Sequence, residues 1–362
     1  MKISEAKRIA RQRMAMGLML LVGLFLFSWE LFSAPIHDLP RFGYEYNNGL
    51  PTAERGVRPE GNTGPHLMMG PPARYPNARV SIMNERIFHP VGEAPVLPPR
   101  ITLTPEYMEQ LQCFDYIRRG IFLEDPSTML LPDDIDADAF IRADLRIDPK
   151  LPGPHVLLFH THSTEWFLDT KPDDPMTGIM GTGAYLAQIL SEYYGLEVLH
   201  LTQRFDVVDG ITALRGAYER MEPFILEILA ENPEIQLVID LHRDGVRRGV
   251  GPFTRYIDGK PTAQLMFFNG LSRRRVDGEA VEVYWLPNPY QRENLQFSFQ
   301  AQLAANQLFP GLNRRIYLRA YRFSLHMHPR SIFVEVGNQY NTQQEAKNAM
   351  HPLARILADV LL

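Results

Sequence analysis

The chain has 362 residues, 45% of them hydrophobic, and a formal net charge of -5, so it can bury a core and form one large domain or two smaller ones. That charge, with no basic run interleaved with aromatics in the folded part, argues against a nucleic-acid surface. Cys113 is the single cysteine, which excludes an intrachain disulfide and a cysteine-based zinc cluster; a metal would have to use His and carboxylates.

Residues 1–13 carry Lys2, Lys7, Arg8, Arg11 and Arg13, and the run from Met14 to Phe32 is almost entirely apolar. About 17–25 apolar residues cross a bilayer as a helix, and the basic flank places the amino terminus in the cytoplasm. Pro35, directly after Phe-Ser-Ala, disfavours signal-peptidase cleavage. The expectation is a cytoplasmic basic segment (1–13), an uncleaved transmembrane anchor (14–33) and a single-pass cell-membrane protein with its carboxyl-terminal domain outside the cytoplasm. Residues 34–100 are dense in Pro, Gly, Asn and Arg without periodicity, as expected of a stalk.

Residues 101–150 read as a lead-in subdomain whose helix starts at a Thr cap, Thr104, and ends at Gly120. From 151 to 362 strands and helices alternate. Strands are expected at 155–160, 196–201, 235–242, 315–323 and 331–337, and a hairpin that begins near Arg243 and ends in AQLMFFNG (263–270). Helices are expected at 182–195, closing on Gly195, at 211–233, stopped by Pro233, at 290–311, and at the carboxyl terminus, where Pro352 is a candidate kink. This order predicts an α/β fold: a mostly parallel or mixed open sheet flanked by helices. Sites in such sheets form beyond the carboxyl ends of strands.

Three predicted strands end in titratable residues. One runs HVLLFH into His160-Thr161-His162 with Glu165 following; a second ends in Asp240, His242, Arg243 and Asp244; a third carries Glu335 before Gly337 and Asn338. Two histidines and a carboxylate leave the fourth position of a catalytic zinc site open, and a further carboxylate can move the proton of an attacking water. Each signal also has a plain structural reading, with Glu165 as a cap and His242 as a core histidine. An unpaired Glu335 among Phe333, Val334 and Val336 is harder to explain that way, because burying its charge is costly. His160 competes with His162 as ligand but, as the last strand residue, is read as packing or orienting. His326 and His328 are read at best as contacts beside the site, and His200 as a core residue. GIMGTG (178–183) imitates a nucleotide loop, but no strand immediately precedes it and the glycine spacing is wrong.

At these residues the chain resembles the stage II sporulation protein P family. THSTEWF is similar to T-H-x-x-E-S-[FY], DLHRDG to D-[IV]-H-R-D, and FVEVGNQYNT to [IL]-E-V-G-x-x-x-N-T, in the same order. The resemblance implies a membrane-anchored, zinc-dependent peptidoglycan hydrolase with a fold similar to other cell-wall amidases. It would be an N-acetylmuramoyl-L-alanine amidase, with endopeptidase activity on peptide cross-links also attributed to the family. Stage II sporulation proteins D and M would be its partners during engulfment. Matched by motif, His162, Glu165 and His242 would be the Zn2+ ligands and Glu335 the general acid/base. Arg243, Asp244 and Asn341 would lie beside the ligands or on the substrate, with His160 near them. Gly245 and Asn338 depart from the family pattern, which commonly has a small hydroxyl residue and a second glycine there, and leave the bond cleaved open. Two other readings remain: a zinc carboxypeptidase using Arg243 or Arg247 for a terminal carboxylate, and a metal-free, membrane-tethered scaffold that binds the wall.

Overall fold

The computed structural model of the chain describes residues 103–362. The basic segment, anchor and stalk expected over 1–100 lie outside these residues. Among the described residues no helix is long and apolar enough to cross a membrane.

Thr104 caps the first helix, its hydroxyl accepting the Tyr107 N–H, but the helix expected through Gly120 is two short ones, α1 (Pro105–Gln110) and α2 (Phe114–Gly120). β1 (Phe122–Glu124) and α3 (Ala137–Arg142) follow. The stretch expected as a lead-in therefore supplies an edge strand to the main sheet, because β1 pairs with a strand nearly 200 residues later. Six more strands complete that sheet: β2 (Val156–Phe159), β3 (Val198–His200), β4 (Leu237–Asp244), β5 (Leu265–Gly270), β6 (Ile316–Arg319) and β7 (Ser331–Asn338). Their order is β1-β6-β5-β7-β4-β2-β3. Neighbours are parallel except β5 and β7, which run antiparallel, so the sheet is mixed.

AQLMFFNG does not close the hairpin expected there. The hairpin is Thr254–Ile257 with Lys260–Ala263, whereas Leu265–Gly270 is β5, inside the main sheet. All six β5 residues are buried, as a continuous apolar run in a central strand should be. Gly270 fits there for a steric reason: a Cβ would stand 1.9 Å from the Tyr321 carbonyl oxygen.

One face of the sheet packs against α4 (Ile179–Tyr194), α6 (Gln291–Leu308) and α7 (Gln343–Leu361). Alternation along β4 sends Ile239 and Leu241 to that face and Val238 to the other, where Leu157, Phe159, Phe268 and Phe333 meet α5 (Ala217–Glu231). The helix expected over 211–233 begins only at Ala217, after Gly216 at φ 79°, because Ile211–Thr212 forms a small hairpin with Val207–Val208. α4 ends at Gly195 in the left-handed conformation, as glycine permits. α7 starts at a Thr342–Glu345 capping box and runs through Pro352 as one helix. The glycines of GIMGTG serve close packing. A Cβ on Gly181 would stand 1.8 Å from the Met176 carbonyl oxygen, and one on Gly183 2.5 Å from His160 Nε2.

Candidate metal centre

β2, β4 and β7 are parallel to their neighbours in the order β7-β4-β2, so their carboxyl ends share one edge. β4 presents Asp240 and His242 on the same face, two residues apart. The loop after β2 brings His162 and Glu165 over that face. Ligand atoms of His162, Glu165 and His242 all lie within 4.8 Å of one another. Glu165 Oε1 is 3.3 Å from His242 Nδ1 and 3.6 Å from His162 Nδ1. A tetrahedral ion at about 2.0–2.1 Å from each donor needs donor–donor spacings near 3.4 Å; the two spacings from Glu165 meet that, and two imidazoles with one carboxylate are a donor set suited to zinc.

The surroundings prepare these donors. His242 Nε2–H donates to Asp240 Oδ1 at 2.7 Å, which leaves Nδ1 to face the site. Asp240 is held by the Thr161 N–H and hydroxyl, at 3.0 and 2.7 Å, so strand β4 and the β2 loop share one carboxylate. The His242 ring stacks on Phe333, centroids 4.1 Å apart, while the His162 ring meets Tyr218 edge to face. Glu165 Oε2 accepts the Arg243 N–H at 2.7 Å. All three donor residues are buried.

These buried charges act directly on one another. Burial disfavours the Glu165 carboxylate, but the His242 charge and contacts with both histidines outweigh it and hold its pKa well below the usual range. Burial likewise disfavours the His242 imidazolium; Asp240 and Glu165 reverse that and raise its pKa well above the ordinary value. A cation entering this nest would replace the His242 Nδ1 proton.

Glu335 pairs in register with His242 on the neighbouring strand, so both side chains leave the same face of the sheet. It is buried, and its Oε2 has no hydrogen-bond partner among the described residues. Burial, then the negative charges of Asp244 and Glu165, raise its pKa well above the usual carboxylate range. Just beyond it the β7–β4 register shifts, three β7 residues spanning two of β4. Gly337, at φ 58°, makes that bulge possible.

The remaining candidates divide. Arg243 donates its Nε–H to the Trp166 carbonyl and a further N–H to the Asp244 carbonyl, and Asp244 accepts from Arg314 at 2.6 Å. Asn341 is fully buried and locks the turn after β7: its Oδ1 accepts the N–H groups of Asn338 and Phe253, and its amide donates to Thr254 and Glu345. Its side-chain amide is thus occupied by that turn. His160 stands on the opposite face of the sheet from His242, bonded to the Leu241 carbonyl at 2.7 Å and to His200 at 2.9 Å. Burial pulls its pKa down to about 4. It is outside the donor group. His326 contacts Glu222, and burial lowers His328 to about 4; neither joins the donors.

Thr161, Tyr218 and Phe333 also line the site or hold Asp240, and the sequence reading gave them no role. The Asp240-x-His242 spacing within a predicted strand was a usable signal for the carboxylate–imidazole pair; the others carry none.

A family model described as Stage II sporulation protein P matches residues 138–358. Stage II sporulation protein P of Bacillus subtilis (strain 168) is 22% identical over 224 residues, 57% of this chain and 50% of that protein. The chain thus matches half the length of that relative. Among solved structures, the N-acetylmuramoyl-L-alanine amidase AmiC2 of Nostoc punctiforme shares 15% identity, with 56% of this chain and 93% of that one covered and a TM-score of 0.33. The CwlD amidase from Clostridioides difficile, in complex with the GerS lipoprotein, shares 12%, with 57% and 94% covered and a TM-score of 0.36. With three ordered motifs on one sheet edge and the family match over most of the folded chain, the protein belongs to the Stage II sporulation protein P family.

Proposed function

We propose that this chain is a membrane-anchored, zinc-dependent peptidoglycan hydrolase that cleaves the amide between N-acetylmuramic acid and L-alanine. The observation that carries the reading is the convergence of His162, Glu165 and His242 within 4.8 Å, with Glu335 in register beside His242. His162, Glu165 and His242 would hold the ion, which when bound supplies Lewis acidity to the attacking water and the scissile carbonyl. Asp240 fixes the tautomer and direction of His242 through the Nε2–H bond. Glu335 accepts a proton from the attacking water at Oε2 and passes it to the departing nitrogen. Burial and the neighbouring carboxylates raise the pKa of Glu335, which makes it a stronger base towards the water proton than an ordinary carboxylate.

The carboxypeptidase reading needs a free cation for a terminal carboxylate. Arg243 is engaged by two backbone carbonyls, which leaves Arg247, an exposed residue on the loop after β4. Mass spectrometry of peptidoglycan digested by the chain separates the outcomes. Glycan strands freed of intact peptides support the amidase; trimmed peptides still on glycan, or released C-terminal amino acids, would replace it with a peptidase. A chain that binds no zinc and digests nothing would support the scaffold reading.

The proposed setting is the outer face of the cell membrane, with stage II sporulation proteins D and M as partners. It rests on the basic residues before Met14, the apolar run to Phe32 and the family. Protease added to intact spheroplasts should remove the carboxyl-terminal domain and spare a short amino-terminal fragment. Full protection of the domain would refute this topology.

A further inference from the structure

We propose that Asp206 is a positioning residue for the metal centre, setting the spacing of His162 and Glu165 from outside their loop; the idea rests on the zinc reading above. Asp206 lies between β3 and α5 and is fully buried. Its Oδ1 accepts the Ser163 hydroxyl at 2.6 Å, and its Oδ2 accepts the Thr164 N–H at 2.8 Å together with the Thr164 hydroxyl. Ser163 and Thr164 are the two residues between His162 and Glu165. One carboxylate therefore grips every link of the turn that spaces these two donors. Arg204 adds a contact from the same segment, its Nε–H donating to Ser163 Oγ at 3.2 Å.

Asp206 is itself anchored. Its carbonyl accepts the Ala213 N–H at 2.7 Å, across the small hairpin that follows it, and Arg220 of α5 donates to the neighbouring Phe205 carbonyl at 2.6 Å. The β2 loop is thus tied to α5 and the hairpin base through a single side chain. Water cannot replace that carboxylate at so buried a position, so its loss frees three donors at once. The donor pair would then sample spacings other than the observed 3.6 Å. Asp240 plays the corresponding part for His242, and Asp206 completes the support from the other side.

The test uses the full-length chain in detergent, with zinc affinity measured by competition against a chromophoric chelator. The visible spectrum of the cobalt form reports donor geometry, and thermal unfolding of the metal-free chain reports folding. Loss of a partner that orients metal ligands typically weakens metal binding about 10–100-fold, and Asp206→Asn should show that loss with an altered cobalt spectrum. Ser163→Ala with Thr164→Val removes the side-chain donors instead and should reproduce it; this pair carries the test if Asp206→Asn does not fold. Combining all three changes should cost no more than the larger of the two. Folded variants that bind zinc as tightly as the wild type, with an unchanged cobalt spectrum, would overturn the proposal. So would losses that simply add, since Asp206 would then act by another route. Wild-type chain that takes up no zinc would overturn the zinc reading itself, a result distinct from both.

Discussion

Glu335→Gln is expected to lower peptidoglycan turnover by about 10²–10⁴, the usual worth of a positioned proton-transfer group, while each chain keeps its zinc. The amide preserves shape but cannot accept and return a proton. Its effect on the metal-free chain has a definite sign. Burial and the charges of Asp244 and Glu165 raise the folded pKa of Glu335 well above the ordinary value. A raised folded pKa means the folded chain binds more protons than the unfolded one over the interval between the two values. Stability from this group is therefore complete below the unfolded pKa, about 4.3, and is lost as pH rises through the folded one. Glu335→Gln removes that dependence, so relative to wild type its thermal midpoint should gain as pH rises from about 4 towards 7. Zinc-content analysis, turnover assays and unfolding at several pH values check the three parts. Near-normal turnover would end the acid/base assignment. Loss of zinc would make Glu335 a ligand and return Glu165 to a capping role.

Replacing His162, Glu165 or His242 with Ala should each remove most of the bound zinc, since three protein donors hold the ion and affinity falls steeply when one is lost. His160→Ala should leave the metal in place and act on stability instead. It would leave the Leu241 carbonyl and His200 without their partner, a loss of about 1–3 kcal/mol for a buried group left unsatisfied. Zinc content and denaturant unfolding, read side by side on the four variants, separate the two kinds of effect. A chain emptied by His160→Ala but not by His162→Ala would overturn the ligand assignment.

The Glu335 and His160 expectations draw on different levels. That three buried strands end in titratable residues was legible in the sequence, because apolar runs such as HVLLF and IQLVIDL have few other uses in an alternating α/β chain. The capping residue Thr104 and the stop at Gly195 were legible for the same local reason, as each satisfies helix-end groups with its own side chain or backbone. The late start of α5 was not, because Ile211 and Thr212 follow a local pairing with Val207 and Val208 that apolar spacing does not reveal.

The sequence by itself determined the layered α/β class, the order of the motifs and the residue types available at each strand end, since all of these follow from periodicity and short-range chemistry. Only the tertiary structure separated His160 from His162. They are two apart, and strand alternation would put them on one face, but β2 stops at Phe159 and the chain turns. His160 then packs beneath α4 against Gly183, while His162 crosses to the face of His242. The antiparallel insertion of β5 and the reach of Asp206 to the ligand loop are of the same kind. A buried apolar run reads alike in either direction, and a carboxylate's partners some forty residues away are fixed by packing rather than by spacing.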